Sequence, residues 1–234
     1  MEKPTDIFLL IGQSNMAGRG LLGEVADLSE PQVLMFRDDI WQRAKEPLHT
    51  DKATAGVGIG SGFALELLTQ AADLHIGLVP CAVGGTPLSR WMPGMDLYEA
   101  ALSTVKQALA SGPLKGILWH QGESDSNDAE LANSYGDRFQ QMITRLRAEL
   151  GAGEVPVLAG ELGIFLATEE KPRAYFNVVN RHLRRLEGVL PAYGFVPSNG
   201  LTDKGDKVHF DSRSLREFGT RYAHKFLQLA EDYD

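Results

Sequence analysis

A serine in a glycine-flanked segment and a closely spaced aspartate–histidine pair are the residues of this sequence that could do chemistry. Ser14 lies within Gly-Gln-Ser-Asn-Met-Ala-Gly, residues 12–18. A serine hydroxyl is a weak nucleophile unless a base takes its proton. His209 could be that base near neutral pH, and Asp206 could bond one ring nitrogen while the other faces Ser14. This combination predicts acyl transfer through a serine–histidine–aspartate triad.

Two more segments could stabilise the negative charge that develops on a carbonyl oxygen during acyl transfer. Gly84 and Gly85 follow an apolar run, and successive glycines expose backbone N–H groups. Gln121 also follows an apolar run, and its side-chain amide is a further hydrogen-bond donor. Taken alone, each segment has an ordinary explanation, as a tight turn or a polar loop residue. Together with the serine, histidine and aspartate, they complete the set of groups that acyl transfer requires.

Short apolar runs alternate with segments of helical spacing along the chain. The runs predict buried strands at residues 7–11, 75–79, 116–120, 155–159 and 193–196. The spacing predicts helices at residues 62–72, 97–109, 128–150, 174–186 and 214–230. Because strands that alternate with helices are joined by crossover connections, this order predicts an α/β fold. Its parallel sheet should be covered on both faces.

The candidate chemical groups share one position relative to the predicted strands. Ser14, the Gly84–Gly85 pair and Gln121 each come shortly after a predicted strand. Ligands of parallel sheets bind beyond the carboxyl ends of the strands, so we expect these groups at one edge of the sheet. Residues 21–60 lack a crossover helix and are expected to form an excursion, which could include a small strand at 33–36.

Size and composition favour one globular domain spanning residues 1–234. The chain carries a formal net charge of −8 and has no basic stripe, which argues against a nucleic-acid partner and against binding to an anionic membrane. Cys81 is the single cysteine, so no intramolecular disulfide can form, and its apolar neighbours indicate a small buried side chain.

Neither a targeting segment nor a metal site is indicated by the sequence. The N-terminal apolar run is too short for a signal peptide, and no stretch approaches the roughly 20 apolar residues of a membrane span. We therefore expect a cytoplasmic protein, although removal of a signal peptide would leave the same sequence. Histidines, cysteines and carboxylates do not recur at ligand spacing, so we expect no metal and no cofactor.

Four blocks of the sequence together resemble the SGNH hydrolase superfamily. They are Gly-Gln-Ser-Asn-Met-Ala-Gly, Gly-Gly-Thr, Trp-His-Gln-Gly-Glu-Ser-Asp and Asp-x-x-His-Phe, and they extend from residue 12 to residue 210. More narrowly, they resemble the sialate O-acetylesterases and acetylxylan esterases of carbohydrate esterase family six. The resemblance implies a flavodoxin-like, three-layer α/β/α sandwich with a five-stranded parallel sheet, and a small acetylated carbohydrate as substrate.

The same resemblance implies roles for individual residues. Ser14 would be the nucleophile of a serine esterase, His209 its base and Asp206 the partner of that base. The oxyanion hole would consist of the backbone amides of Ser14 and Gly85 together with the side chain of Gln121. The broader superfamily usually has asparagine at the position of Gln121, whereas the narrower group tolerates glutamine.

Glu123 is the main ambiguity of the predicted site. It could orient His209 in place of Asp206, or together with it. We favour Asp206, because its spacing to His209 fixes the geometry locally. Glu123 is then expected to support the site by pairing with a cation, either Arg19 or Arg90.

Three further features have a structural and a functional interpretation. His120 is expected to hold the backbone of the site or to contact substrate, without a catalytic role. Trp41 and Trp91 could stack on a sugar ring or pack in the core. The alternating glycines of residues 56–62 do not follow a strand and lack dinucleotide-binding spacing, so a loop that leads into a helix is expected.

Two alternative functions remain open from the sequence. The first is an acyl hydrolase of the same fold with another specificity, such as a lysophospholipase, thioesterase or aryl esterase. The second is a non-catalytic carbohydrate-binding protein, which the intact serine, histidine and aspartate argue against. For an acetylesterase, the acetylated glycan could be xylan, sialic acid or another sugar.

Overall fold

A computed structural model describes residues 3–167 and 173–231, and its centre is a mostly parallel β-sheet. The strands are β1 (Asp6–Gly12), β2 (Val33–Arg37), β3 (Ile40–Arg43), β4 (Ile76–Pro80), β5 (Leu114–His120), β6 (Val157–Gly160) and β7 (Tyr193–Val196). Their order in the sheet is β3-β2-β4-β1-β5-β6-β7, and among these described strands only the β2–β3 pair is antiparallel. The α/β fold is therefore confirmed.

In the part of the chain that the structure describes, the sheet has seven strands, so the expectation of five is wrong. Both additional strands come from the excursion at residues 21–60. β2 matches the small strand expected at 33–36, whereas β3 was missed. The two form a hairpin whose turn residues, Asp38 and Asp39, have positive φ angles of 53° and 60°. Such angles are typical of a tight two-residue hairpin turn, but Asp-Asp is a weaker sequence signal for it than Asn-Gly.

Seven helices are found in the described residues. They are α1 (Ser14–Ala17), α2 (Ile59–Gln70), α3 (Asp96–Ala108), α4 (Ala129–Asn133), α5 (Tyr135–Leu150), α6 (Phe176–Arg185) and α7 (Ser212–Glu231). The single helix expected at 128–150 is two helices that meet at Ser134. Asp128 begins the first, because its carboxylate accepts hydrogen bonds from the N–H groups of Glu130 and Leu131.

Alternate residues of the central strand β1 face two separate layers of helices. Ile7, Leu9 and Ile11 belong to a core that includes α3, α5 and α6. Phe8 and Leu10 belong to a second core that includes α2 and α7. Because side chains of a strand alternate between the two faces, a strand buried on both sides reads as the continuous apolar run seen in the sequence. This is a three-layer α/β/α arrangement.

Side chains that the sequence left open to a functional or a structural role have structural roles in the fold. Trp91 and Trp41 both belong to the hydrophobic core, and Trp91 packs edge-on against Trp119 with ring centroids 5.6 Å apart. Cys81 is partly rather than fully buried against the core, and burial of its thiol raises the pKa to about 12, which makes it a poor nucleophile. Gly62 lies within α2, and a Cβ there would lie 2.4 Å from the backbone oxygen of Arg216 in α7. Gly62 thus allows α2 and α7 to pack closely.

None of the helices within residues 3–167 and 173–231 is long and apolar enough to cross a membrane.

Candidate active site

The segments expected to meet at one edge of the sheet follow neighbouring strands. Ser14 follows β1, the Gly84–Gly85 pair follows β4 and Gln121 follows β5, and β1 lies between β4 and β5. Gly12 ends β1 with a φ of 131°, and a Cβ at this position would lie 2.1 Å from the backbone oxygen of His120. Glycine is therefore required for the sharp turn that places Ser14 at the start of α1.

The structure brings Ser14, His209 and Asp206 together in a series of hydrogen bonds. The Nε2 atom of His209 lies 3.0 Å from the Oγ atom of Ser14. Its Nδ1 atom lies 2.7 Å from the Oδ2 atom of Asp206. The other Asp206 oxygen accepts the backbone N–H groups of Val208 and His209 at 2.9 and 2.8 Å. Asp206, and not Glu123, is therefore the carboxylate that bonds the His209 ring.

The charge state of Asp206 follows from its surroundings. Partial burial opposes ionisation, but hydrogen bonds from the ring and backbone of His209 lower the pKa of this carboxyl below its ordinary value. The carboxylate is thus ionised at neutral pH and can stabilise a positively charged imidazole. The backbone at Lys207 has a positive φ of 59°, which turns the chain back so that the Asp206 carboxylate can reach the His209 ring.

The glycine turn after β4 is held by a buried ion pair that the sequence did not reveal. Arg19 and Asp51 pair through Nη2 and Oδ2 at 2.6 Å, with their side chains 4% and 3% exposed. The same Asp51 oxygen accepts the backbone N–H of Gly84 at 2.7 Å. Gly85 follows with a φ of 78° and is exposed. Asp51 lies in a segment with no recognisable motif, so no sequence signal indicated it.

Gln121 lies beside these segments, but its side-chain amide is hydrogen-bonded to other groups of the protein. The side chain is fully buried, and its amide nitrogen donates to Asp125 at 2.7 Å, to the backbone oxygen of Thr86 at 3.1 Å and to Gln13 at 3.2 Å. Its amide oxygen accepts the hydroxyl of Tyr135 at 2.8 Å. Contrary to the expectation from sequence, the structure does not leave this amide free for a substrate oxygen. Gln121 instead connects the loops that follow β1, β4 and β5.

Glu123 has neither of its expected cationic partners. Arg19 pairs with Asp51, and Arg90 pairs with Asp96 at the surface. Instead, Oε1 of the buried Glu123 accepts a hydrogen bond from Asn15 at 2.5 Å. The expectation of a Glu123–arginine pair is therefore wrong, because both arginines lie closer to other carboxylates.

His120 supports the backbone and does not reach solvent. Its carbonyl accepts the N–H of Gln13 at 2.8 Å, and its ring packs edge-on against Phe210 and Phe218. Burial lowers the pKa of His120, although the nearby Glu123 carboxylate opposes the shift. Of the two expected roles, holding the backbone fits this position and substrate contact does not.

Asn15, next to Ser14 in α1, was not singled out in the sequence. Its Oδ1 atom accepts the backbone N–H of Phe210 at 3.1 Å, and its Nδ2 atom donates to the backbone oxygen of Val208 at 3.1 Å. These partners flank His209 on both sides. The position of Asn15 inside the serine block was the only available signal, and it does not specify a partner nearly 200 residues away.

The described residues bring together the groups that serine-based hydrolysis requires. Within residues 3–167 and 173–231, no three histidine, cysteine or carboxylate side chains are grouped so that they could hold a metal ion. The arrangement consists of a hydroxyl, an imidazole and a carboxylate in series, beside an exposed glycine turn. Such an arrangement can deprotonate a serine for attack on a carbonyl carbon.

Comparison with known proteins gives one consistent family. Residues 4–228 match the family described as "Carbohydrate esterase, sialic acid-specific acetylesterase". A probable carbohydrate esterase of Arabidopsis thaliana, At4g34215, is 32% identical in an alignment 247 residues long, gaps included, that covers 96% of this chain and 91% of that protein.

Solved structures show the same fold. The X-ray structure of the Arabidopsis protein superposes with a TM-score of 0.87 at 30% identity, covering 96% of this chain and 98% of the other. The crystal structure of NanS gives a TM-score of 0.81 at 20% identity over 99% of both chains. A carbohydrate acetylesterase from Xanthomonas citri, XAC1771, gives 0.68 at 22% identity over 97% of this chain and 57% of that one.

Proposed function

The chain belongs to the carbohydrate esterase family of sialic acid-specific acetylesterases, and on that premise we propose that it removes O-acetyl groups from a carbohydrate through an acyl-enzyme on Ser14. The observation that carries the proposal is the distance of 3.0 Å between Ser14 Oγ and His209 Nε2. Membership of the family makes the protein a carboxylic ester hydrolase. The acyl-enzyme, the roles of individual residues and the sugar are the content of the proposal.

The first half of the reaction forms the acyl-enzyme. Ser14 Oγ attacks the carbonyl carbon of the acetyl ester, and its proton passes to His209 Nε2. The Asp206 carboxylate accepts a hydrogen bond from Nδ1 and stabilises the imidazolium that results. The tetrahedral intermediate then collapses, the bond to the sugar oxygen breaks, and His209 gives its proton to that oxygen, which leaves as a hydroxyl group of the sugar.

The second half releases acetate. A water molecule gives a proton to His209 Nε2 and attacks the acetyl carbon that is bonded to Ser14. The second tetrahedral intermediate breaks its bond to Ser14 Oγ, which regains a proton from His209. The products are acetate and the free sugar, and the enzyme returns to its starting state.

We propose that two backbone N–H groups hold the oxyanion. Ser14 is the first residue of α1, so its N–H has no partner within the helix. Gly85 presents its peptide at an exposed turn that Asp51 fixes through Gly84. Within the described chain neither N–H donates to another residue. We assign both as oxyanion donors, and we assign Gln121 to the support of the loops around them.

The central test is the loss of acetyl-ester hydrolysis in Ser14→Ala. We expect turnover of p-nitrophenyl acetate to fall by a factor on the order of 10⁴ or more, because the nucleophile is absent. Ser29→Ala, at an exposed serine outside the site, is the matched control and should retain full activity. A Ser14→Ala protein that retains hydrolysis, or an organophosphate that labels another residue, would contradict the acyl-enzyme.

The substrate is tested by acetate release from O-acetyl sialic acids, acetylated xylo-oligosaccharides and simple acetyl sugars. The family description makes O-acetyl sialic acid the first compound to measure. A chain-length series of p-nitrophenyl esters tests the other acyl hydrolases of this fold. We expect the highest kcat/KM with acetyl, and a maximum at long chains would contradict an acetylesterase and favour an acyl hydrolase for longer chains instead.

A further inference from the structure

The loop that carries His209 is attached to the nucleophile segment by one buried side-chain amide. Asn15 is 1% exposed and bonds the backbone at Val208 and at Phe210, the two neighbours of His209. Because Asn15 is also the neighbour of Ser14, these two hydrogen bonds join the chain directly beside the nucleophile to the chain directly beside the base.

The other hydrogen bonds of the loop do not provide this attachment. Asp203 Oδ1 accepts the N–H groups of Gly205 and Lys207, and the N–H of Lys204 donates to the carbonyl of His209. Asp206 likewise bonds within the loop. These bonds orient the His209 ring relative to Asp206, but they leave the distance between His209 and α1 unspecified. The Asn15 amide supplies that constraint.

Glu123 determines which way the Asn15 amide points. A carboxylate can only accept hydrogen bonds, so the amide nitrogen must face Glu123 Oε1, 2.5 Å away. The second hydrogen on that nitrogen goes to the carbonyl of Val208, and the amide oxygen meets the N–H of Phe210. A flipped amide would set its oxygen against the carboxylate and the carbonyl. In a fully buried site such a mismatch is costly, so one orientation is fixed.

We infer that Asn15 and Glu123 are positioning residues for the reaction, with Asn15 holding His209 at hydrogen-bond distance from Ser14 and Glu123 fixing the Asn15 amide. This inference rests on the proposed function, because it concerns the same hydroxyl and imidazole. Neither residue needs to touch substrate. Their effect is on the approach of His209 Nε2 to Ser14 Oγ, and a misplacement of about 1 Å can lower turnover about 100-fold.

The test begins with Asn15→Asp, which keeps the shape of the side chain and replaces the donor with an acceptor. The new carboxylate would oppose both Glu123 and the carbonyl of Val208, and we expect kcat for p-nitrophenyl acetate to fall about 10- to 100-fold with KM unchanged. Asn133→Asp makes the same chemical change at an exposed residue of α4 and should leave kcat unchanged. Activity is expressed per mole of folded protein, measured by circular dichroism.

Rescue distinguishes positioning from a general loss of stability. Adding Glu123→Gln to Asn15→Asp restores a donor opposite the acceptor, so kcat should recover severalfold. Asn15→Ala is measured in parallel, because it removes the contacts without adding a buried charge, and it should also lower kcat with KM unchanged. Wild-type kcat in both Asn15 variants would overturn the inference, as would a double variant no more active than Asn15→Asp.

The outcome for Ser14→Ala in the same assay separates this inference from the proposed function. If Ser14→Ala is inactive and both Asn15 variants are fully active, the positioning role alone fails. If Ser14→Ala remains active, the proposed function fails whatever the Asn15 variants do.

Discussion

Arg19 and Asp51 form a buried ion pair that holds the backbone of the glycine turn after β4. The pair lies against the turn so closely that a Cβ on Gly84 would be 2.2 Å from Arg19 Nη2. Arg19 also donates to the carbonyl of Gly18, at the end of α1, at 2.7 Å. The same ion pair therefore links α1, which begins with Ser14, to the turn that contains Gly85, so it connects the segments of the two proposed oxyanion donors.

Asp51→Asn should damage both stability and turnover. The substitution leaves the Arg19 guanidinium buried without a countercharge, and breaking one side of a buried pair costs about 3–5 kcal/mol of unfolding free energy. The neutral amide is also a weaker acceptor for the Gly84 N–H, so the turn should shift and kcat should fall by about tenfold, since a displaced oxyanion donor loses part of its contribution. Urea unfolding and p-nitrophenyl acetate kinetics measure the two effects.

Asp96→Asn is the matched control for that experiment. It also removes the partner of an arginine, but Arg90 and Asp96 are 43% and 57% exposed. Exposed ion pairs contribute little to stability, so neither unfolding nor turnover should change measurably. Equal effects of the two substitutions would contradict a special role for the buried pair.

Asp206→Asn should lower turnover while leaving substrate binding intact. The amide cannot stabilise a positive charge on His209, and it can select the tautomer in which Nε2 carries the proton and cannot accept one from Ser14. We expect kcat to fall by a factor on the order of 10²–10⁴, with KM nearly unchanged. Steady-state kinetics at pH 7 to 8 measure this, and a variant with wild-type kcat would show that another group orients His209.

The contact between Asp206 and His209 was predicted correctly, because short spacing along the chain fixes its geometry. Asp206 and His209 are three residues apart, and the loop between them brings carboxylate and ring within 2.7 Å. Ser14 was placed by the strand-to-helix change after Gly12, a local signal. The carboxyl edge of a parallel sheet then brings the segments together, which is a property of the fold rather than of any one residue.

Partners distant in sequence could not be assigned in the same way. Either Arg19 or Arg90 was expected to pair with Glu123. Arg19 instead pairs with Asp51 and Arg90 with Asp96, and no pattern in the sequence ranks one carboxylate above another. Gln121 was expected to face the substrate, yet its fully buried amide is taken by Asp125, Thr86 and Gln13. Choices of this kind depend on which side chains the packed loops place within hydrogen-bond distance.

A buried histidine should make the protein sensitive to mild acid. Burial lowers the pKa of His49 from 6.5 to about 4, although the negative charge of Asp51 opposes the shift. As pH falls from 6.5 towards 4, the unfolded chain takes up a proton at this residue and the folded protein does not, so stability falls with pH. For His49 this amounts to roughly 2 kcal/mol between pH 7 and pH 5.

His49→Gln isolates that contribution. Glutamine does not titrate, so the variant should lose roughly 2 kcal/mol less unfolding free energy than the wild type over the same pH range. Urea unfolding at both pH values measures the difference. Equal losses in wild type and variant would show that His49 takes up its proton in the folded protein as readily as in the unfolded chain.

Gly85→Ala tests the glycine turn itself, with Gly151→Ala as its matched control. Both glycines have positive φ angles, 78° and 62°, and both have room for a Cβ: the nearest atom at Gly85 is Lys52 Nζ at 3.8 Å, and nothing lies within 4 Å at Gly151. Each alanine should therefore cost about 1 kcal/mol of unfolding free energy from backbone strain alone.

Only the substitution at Gly85 should affect catalysis. Relief of the strain there would turn the peptide that carries the proposed oxyanion donor, and kcat should fall by a factor on the order of 10–100. Gly151 caps the far end of α5, so relaxation there leaves the loops after β1 and β4 in place. Because the two variants share the strain and differ in what the peptide faces, equal kcat values in them would remove the Gly85 N–H from the mechanism.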